Sequence, residues 1–188
     1  MNVGLIYGST REGRLCDRIT NWVAAEINKS SRFSLDLIDP NAFDLSFRHE
    51  RQERAGLKAL RSRLHQADAF IIATPEYNHG YPAPLKFIID SAKGEWRAKP
   101  IAFVSYGGIS GGLRAVEQLR LVFAELHSVT IRDTVSFANA WSRFDEAGRL
   151  MEPQNAPEAM NTLLTNLGWW AGVLKSARSE TIYGELIA

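Results

Sequence analysis

The chain has 188 residues, of which 45% are hydrophobic, and includes five tryptophans and nine phenylalanines; this composition excludes a disordered protein and predicts a single domain spanning residues 1–188. The formal charge of +1 is nearly balanced and comes without a basic cluster, so we expect no nucleic-acid partner. No basic leader precedes the first apolar run and no stretch approaches the roughly 20 apolar residues that cross a bilayer, so we expect no membrane partner and predict a cytoplasmic protein.

Five strand-like runs alternate with helical patterns along the chain. The runs are Val3–Tyr7, Phe33–Asp39, Ala69–Thr74, Ile101–Ser105 and Val129–Phe137. The segments between them carry apolar residues at i, i+3 and i+4 spacing, and a last helix is predicted from about Glu158 to Leu174. This alternation predicts a parallel α/β sheet. A charged stretch of mixed sign, residues 48–54, is interpreted as a solvated loop and helix start.

The five runs differ in texture, and the difference predicts their order in the sheet. The first, third and fourth are almost continuously apolar, as expected for central strands covered by helices on both faces. The second and fifth alternate apolar and polar residues, which is typical of edge strands. The order 2-1-3-4-5 satisfies both patterns and predicts a flavodoxin-like three-layer sandwich, whose ligand site lies where the order reverses between strands 1 and 3.

The residues after the first strand, 8–14, read Gly-Ser-Thr-Arg-Glu-Gly-Arg. Two glycines, two hydroxyls and two arginines at the start of a helix are the groups that hold a phosphate. The loop lacks the lysine of a Walker A loop and the G-x-G-x-x-G of a dinucleotide loop, which favours the terminal phosphate of a mononucleotide such as FMN. The other interpretation is a solvated turn with two surface arginines.

The single cysteine and the histidines limit the other chemistry. Cys16 excludes an internal disulfide; at a helix N-terminus it is either a thiol of lowered pKa or a small apolar residue. The four histidines lack ligand spacing, which disfavours a metal-dependent hydrolase and predicts no metal site; they are His49, His65, His79 and His127.

Two further loops follow the central strands 3 and 4. Residues 74–82 include Glu76, Tyr77 and Asn78, which offer an acceptor, an aromatic surface and an amide to a ring system. Residues 105–112 include Gly107 and Gly108, where the backbone can approach a flavin and stabilise negative charge on the reduced ring. The alternative is a pair of ordinary turns. Since parallel strands end at one edge of the sheet, all three loops are expected to converge.

Three motifs in these loops resemble the NADPH-dependent FMN reductase family, flavodoxin-like flavoproteins that include quinone, azo-dye and chromate reductases. The motifs are Gly8-Ser9-Thr10-Arg11, Pro75-Glu76-Tyr77-Asn78 with Pro82 and Leu85-Lys86, and Ser105-Tyr106-Gly107-Gly108 continuing to Arg114. The resemblance runs from Val3 to about Phe137. It departs after Lys86, where Phe87 and Asp90-Ser91 stand in place of the family's usual asparagine and aspartate-tryptophan pair.

The resemblance implies a set of FMN contacts in the three loops. Ser9, Arg11, Arg14 and the amides of Leu15 and Cys16 would hold the phosphate; Pro75, Glu76, Tyr77 and Asn78 would line the isoalloxazine; and Ser105, Tyr106, Gly107 and Gly108 would contact its pyrimidine end. It also implies a homodimer or homotetramer, with Tyr81, Trp96 and the Trp169–Trp170 pair as candidates for the interface, or equally for the core.

The hypothesis that follows is an NAD(P)H-dependent FMN reductase or quinone reductase. It would hold FMN non-covalently, accept hydride from NADPH or NADH and pass electrons to a quinone-like or other small acceptor, with no side chain required as acid or base. Two alternatives remain open: a flavodoxin-like electron carrier, and a flavin-binding regulatory module without reductase activity. The carrier is disfavoured because such proteins are usually strongly acidic.

Overall fold

The central feature of the computed structural model, which describes residues 1–46, 54–145 and 147–184, is a five-stranded parallel sheet. The strands are β1 (Asn2–Tyr7), β2 (Ser34–Ile38), β3 (Ala69–Pro75), β4 (Pro100–Tyr106) and β5 (Val129–Phe137). Their order is β2-β1-β3-β4-β5, with every neighbouring pair parallel. The predicted strands, their order and the flavodoxin-like architecture are therefore confirmed.

Five helices cover the two faces of the sheet. They are α1 (Cys16–Asn28), α2 (Ala55–Gln66), α3 (Ala83–Asp90), α4 (Leu113–Glu125) and α5 (Ala156–Glu180). The α1 and α5 helices pack on one face, and α2, α3 and α4 pack on the other. The predicted last helix is correct in place but too short, because α5 continues beyond its last buried residue, Ala171, as an exposed helix. The predicted solvated loop at 48–54 lies outside the described residues except for Arg54.

Successive side chains of a central strand point to opposite faces of the sheet and therefore contribute to both hydrophobic cores. In β3, Ala69, Ile71 and Ala73 point to the α1 and α5 face, whereas Phe70 and Ile72 point to the opposite face. All five side chains are fully buried, since helices cover both faces. This explains the continuous apolar texture of the run.

The edge strand β5 has an irregular register with β4 between Thr130 and Thr134, and a side chain satisfies backbone carbonyls in this stretch. Arg120 of α4 donates hydrogen bonds to the carbonyl oxygens of Ile131 and Arg132 and to the hydroxyl of Thr134. An edge strand otherwise presents unpaired backbone groups that invite another strand. The charged Arg120 side chain therefore covers part of this edge.

The tryptophans divide between core and surface. Trp96 is fully buried, and its indole N–H donates to the carbonyl of Ile89 at 3.0 Å, so it is a core residue. Trp169 on α5 is 62% exposed, and its ring meets that of Trp170 edge to face.

In the described part of the chain, no helix is both long and apolar enough to cross a membrane.

The position of Ile71 in β3 makes a direct test of the packing. We expect Ile71→Ala to lower the free energy of unfolding by about 2–5 kcal/mol, because it removes fully buried methyl groups and leaves a cavity. Leu121→Ala, at a side chain that is 75% exposed, is the control and should change it by no more than about 0.5 kcal/mol. Denaturant unfolding measures both, and equal effects would contradict the assigned packing.

Candidate functional site

The three unusual loops lie together at the carboxyl edge of the sheet, where the strand order reverses. The first loop (residues 8–15) follows β1, the second (residues 76–82) follows β3, and the third (residues 107–112) follows β4. β1 and β3 are neighbours, yet α1 and α3, which follow them, pack on opposite faces. A crevice opens between such diverging connections, and it is the usual ligand site of an open α/β sheet.

The first loop begins at a glycine that touches the neighbouring strand. The amide of Gly8 donates to the carbonyl of Ala73 at 2.8 Å, and a Cβ at Gly8 would lie 2.6 Å from that same oxygen. Only glycine fits here. Ser9 then turns inward, 1% exposed, and its hydroxyl lies 2.9 Å from the hydroxyl of Tyr77 in the second loop. The first two loops are thus joined at the crevice.

The rest of the first loop exposes hydrogen-bond donors. Within the described residues, no acceptor bonds the backbone amides of Glu12, Gly13, Arg14 and Leu15. These amides precede the first turn of α1, where helix N–H groups and the helix dipole favour an anion. The guanidinium of Arg11 lies over the ring of Tyr77, 3.7 Å from its centroid. Donors and positive charge therefore meet at this end of the crevice.

Arg14 has a different role from the one expected. Its guanidinium forms a two-pronged ion pair with Asp39, including Nη1 to Oδ1 at 2.8 Å, and its Nε donates to Asp17. Nη1 also donates to the carbonyl of Ser9. The hydrogen bond to Asp39 is the largest cause that raises the pKa of Arg14. The structure therefore makes Arg14 a support of the loop, with its nitrogens committed to protein acceptors.

Cys16 is a buried residue beneath the first loop. Its side chain is fully buried, and its sulfur lies 3.7 Å from the carbonyl oxygen of Ala73. Burial raises the pKa of the Cys16 thiol despite the helix N-terminus, so the thiol is protonated at neutral pH. Of the two interpretations of this cysteine, the structure supports the small apolar residue.

The second loop is a tight hairpin turn. Tyr77 and Gly80 exchange backbone hydrogen bonds of 2.9 and 3.1 Å, and both residues between them, Asn78 and His79, have positive φ. Two positive φ angles in a two-residue turn define a type I′ turn. Gln118 of α4 donates to the carbonyl of His79 at 2.8 Å. The Tyr77 ring is therefore held at a fixed angle beside the first loop.

Glu76 joins the second loop to the third. The prediction placed this side chain against the isoalloxazine ring of FMN. Its buried carboxylate accepts hydrogen bonds from the Ser110 hydroxyl at 2.8 Å, from the Arg114 amide at 3.1 Å and from the Arg114 guanidinium at 2.8 Å. Burial acts to raise the pKa of Glu76, but these hydrogen bonds outweigh it and lower the pKa. The carboxylate is a structural clamp.

The third loop presents backbone, and two of the side chains expected to contact a ligand are turned away. Ser105 is fully buried and donates to the carbonyl of Gly111. The Tyr106 hydroxyl is buried and has no hydrogen-bond partner among the residues that the structure describes, and burial raises the pKa of Tyr106. The Gly107 amide donates to Phe137, 3.2 Å away. Within the described residues the Gly108 amide has no acceptor and remains a donor for a ligand.

A cavity of about 380 Å³ lies between the first and second loops; we call it the loop cavity. Of its walls, Arg11, Tyr77, Asn78 and Ser9 were predicted site residues. Sequence reasoning missed the rest as ligand contacts: Thr10, Tyr81, Pro82, Ala83 and Pro84. The prolines at the start of α3 could have indicated this wall of the cavity, because proline favours the first turn of a helix and restricts its backbone. Pro75 is buried at the end of β3.

The family model of the NADPH-dependent FMN reductases matches residues 1–142, which contain all three loops. The chain belongs to this family. It is 38% identical over 119 residues to an NAD(P)H-dependent FMN reductase of Schizosaccharomyces pombe, a match that covers 57% of this chain and 58% of that relative. It is 32% identical over 177 residues to an NAD(P)H:quinone oxidoreductase of Solanum tuberosum, covering 87% and 90%.

Among solved structures, the fold is similar to that of a flavoenzyme NAD(P)H:(acceptor) oxidoreductase from Paracoccus denitrificans. The TM-score is 0.74 at 21% identity, covering 92% of this chain and 97% of that one. This likeness shows the fold.

In the part of the chain that the structure describes, no group of three or more histidine, cysteine or acidic residues could hold a metal ion; His49 lies outside that part.

The clamp at Glu76 generates a pH-dependent prediction. Its carboxylate, with a pKa below the ordinary 4.5, stabilises the folded state above that pH, and the contribution is lost as the pH falls through the folded pKa. We expect Glu76→Gln to lower the free energy of unfolding at pH 7 by about 1–3 kcal/mol. The difference from the wild type should shrink below pH 4.5.

Denaturant titrations at several pH values measure this difference. Glu117→Gln, at an exposed residue on α4, the helix that carries Arg114, is the matched control and should behave as the wild type throughout. A difference between Glu76→Gln and the wild type that stayed constant with pH would show that the carboxylate charge does not hold the loops.

Proposed function

We propose that the protein is an FMN-dependent NAD(P)H oxidoreductase that passes electrons to quinone-like small acceptors. The observation that carries this proposal is the juxtaposition of open amides in the first loop, the Arg11 guanidinium and the flat Tyr77 ring at one crevice. The family description and the names of the relatives agree with it.

The first loop fits the phosphate of FMN. The four open amides from Glu12 to Leu15 supply neutral donors, and the exposed Arg11 guanidinium supplies charge. Charge-assisted hydrogen bonds to phosphate are roughly twice as strong as neutral ones. Ser9 completes the set, with its hydroxyl directed toward Tyr77.

The second and third loops fit a flat ring. Tyr77 offers an aromatic surface and Asn78 an exposed side chain, and Gly108 offers an open amide across the crevice. A Cβ at Gly107 would lie 3.6 Å from the Cβ of Glu76, so the two loops are in contact beneath this position. Backbone donors of this kind are fixed before the ligand arrives and need no reorganisation.

When bound, FMN would supply the redox chemistry, taking hydride from NAD(P)H and giving electrons to the acceptor. The residues of this chain anchor the phosphate, position the ring and place donors at its edge. No titratable side chain is aimed into the loop cavity with a partner arrangement typical of a general acid or base among the described residues, and the proposal requires none.

Two properties of the assembled protein belong to the same proposal. We propose a homodimer or homotetramer, with the exposed Trp169 as one surface candidate and with Trp96 excluded because it is buried. We also propose a cytoplasmic location, which agrees with the single cysteine of the chain forming no disulfide.

Arg11→Ala tests the phosphate anchor. We expect FMN affinity to fall by roughly 10- to 150-fold, because a hydrogen bond to a charged group contributes about 1.5–3 kcal/mol, while the melting temperature without FMN stays the same. The matched control is Arg97→Ala, at an exposed arginine remote from the crevice, which should bind FMN normally. Fluorescence titration with FMN measures both, and unchanged affinity in Arg11→Ala would refute the anchoring role.

The visible spectrum and its response to NADPH test the function as a whole. We expect a yellow protein that releases FMN on denaturation, bleaches rapidly with NADPH under anaerobic conditions and regains colour with a quinone. FMN without rapid bleaching by NADPH or NADH would favour the electron carrier. A colourless protein that does not take up added FMN would overturn the site.

A further inference from the structure

A second cavity of about 360 Å³ lies on the other side of the first loop; we call it the side cavity. Its walls include two aromatic rings, two prolines and two polar side chains, which are Phe43, Phe87, Pro40, Pro84, Thr10 and Asn41. An apolar cavity of this size with a few polar groups is typical of a small-molecule site. None of the predicted FMN contacts lines it.

The side cavity adjoins the loop cavity. Thr10 of the first loop and Pro84 of α3 line both of them, so one residue from each wall separates the two spaces. A ligand that occupies the loop cavity only in part can therefore extend into the side cavity past Thr10. The exposed guanidinium of Arg11, next in the chain, places positive charge at this boundary.

The far wall of the side cavity is fixed in place. A single 3-10 turn, Pro40–Ala42, forms it and begins at Asp39, whose carboxylate accepts hydrogen bonds from the Asn41 amide and from Arg14. The same ion pair thus holds the first loop and this wall at a constant separation. A preformed cavity loses little free energy to ordering when it binds a ligand.

The chemistry of the walls suits a purine. The aromatic residues Phe43 and Phe87 line the cavity, and a nucleobase stacks on aromatic rings. The Asn41 side chain is exposed and makes no hydrogen bond within the described residues, and a carboxamide can donate to and accept from the edge of an adenine. A base, rather than an aliphatic chain, uses both features.

We propose that the side cavity binds the adenosine half of NAD(P)H, an inference that rests on the proposed function. The donor has two flat halves joined by a pyrophosphate. With its nicotinamide against a flavin in the crevice, its adenosine would extend into the adjoining space. Phe43 and Phe87 are then determinants of donor affinity outside the FMN site.

The test compares NADPH with reduced nicotinamide mononucleotide, which carries the same hydride but lacks adenosine. In the FMN-loaded protein, we expect Phe87→Ala to raise the KM for NADPH by roughly 5- to 150-fold, because one base-stacking contact is lost. The KM for reduced nicotinamide mononucleotide should not change. Phe43→Ala is the second variant, and Leu121→Ala, at an exposed side chain that lines neither cavity, is the control.

A binding measurement on the wild type supplements the variants and does not depend on their folding. We expect adenosine 5′-monophosphate to inhibit competitively against NADPH and to leave turnover of reduced nicotinamide mononucleotide uninhibited. FMN content and melting temperature show whether each variant is folded and holds FMN. If Phe87→Ala does not fold or does not hold FMN, Phe43→Ala takes its place in the test.

Several outcomes would overturn the adenosine proposal. They are an equal rise of KM for both donors, no change for either, or a rise confined to the quinone acceptor, which would assign the side cavity to the acceptor. A wild type that uses both donors with the same KM and is indifferent to adenosine 5′-monophosphate would also overturn it. A protein that holds FMN but is reduced by neither donor would instead refute the proposed function.

Discussion

The ion pair between Arg14 and Asp39 is the constraint on which the site depends. It joins the loop after β1 to the turn after β2, and Arg14 also donates to the carbonyl of Ser9 and to Asp17. The Arg14 side chain is only 7% exposed, so water solvates its charge poorly. Removing Asp39 would leave that largely buried charge with Asp17, a more exposed carboxylate, as its ion-pair partner, which costs more than losing a surface pair. Burial acts to raise the pKa of Asp39, but the hydrogen bonds from Arg14 and the Asn41 amide, together with the charge of Arg14, outweigh it and lower the pKa, so the pair stays charged at neutral pH.

The same principle recurs at Glu76, which holds the loops after β3 and β4 together through Ser110 and Arg114. In both places, charged side chains bond other parts of the protein and leave backbone amides facing the crevice. This division has a physical advantage. A long charged side chain must lose rotamer freedom to meet a ligand, whereas an amide in a braced loop already points in one direction. Arg11, which is exposed and stacked on Tyr77, is the exception that retains a free charge.

The topology could be predicted from the sequence because the pattern of apolar and polar residues in each strand depends directly on which of its faces are buried. A run such as Ala69–Pro75 is apolar on both faces because helices cover both, and the alternating runs fall at the edges, as found. The loops that meet at the crevice follow from that order. The roles of individual side chains did not follow, since their partners are distant in sequence. Glu76 lies 38 residues from Arg114, and Arg14 lies 25 residues from Asp39, and no local pattern reports such pairs. Phe87 stood out only as a departure from the family motif, without a sign that it faces a cavity.

The reversal of strand order explains why one loop can serve two cavities. Because β2 and β3 flank β1 on either side, the loop after β1 has the turn after β2 as one neighbour and the loop after β3 as the other. The chain leaves β1 into α1 on one face of the sheet, whereas α3 begins on the opposite face, so space remains on both sides of Thr10. At β3 and β4, by contrast, the helices that follow, α3 and α4, pack on the same face of the sheet. The position of the loop after β1 in the fold therefore leaves a cavity on each side of Thr10.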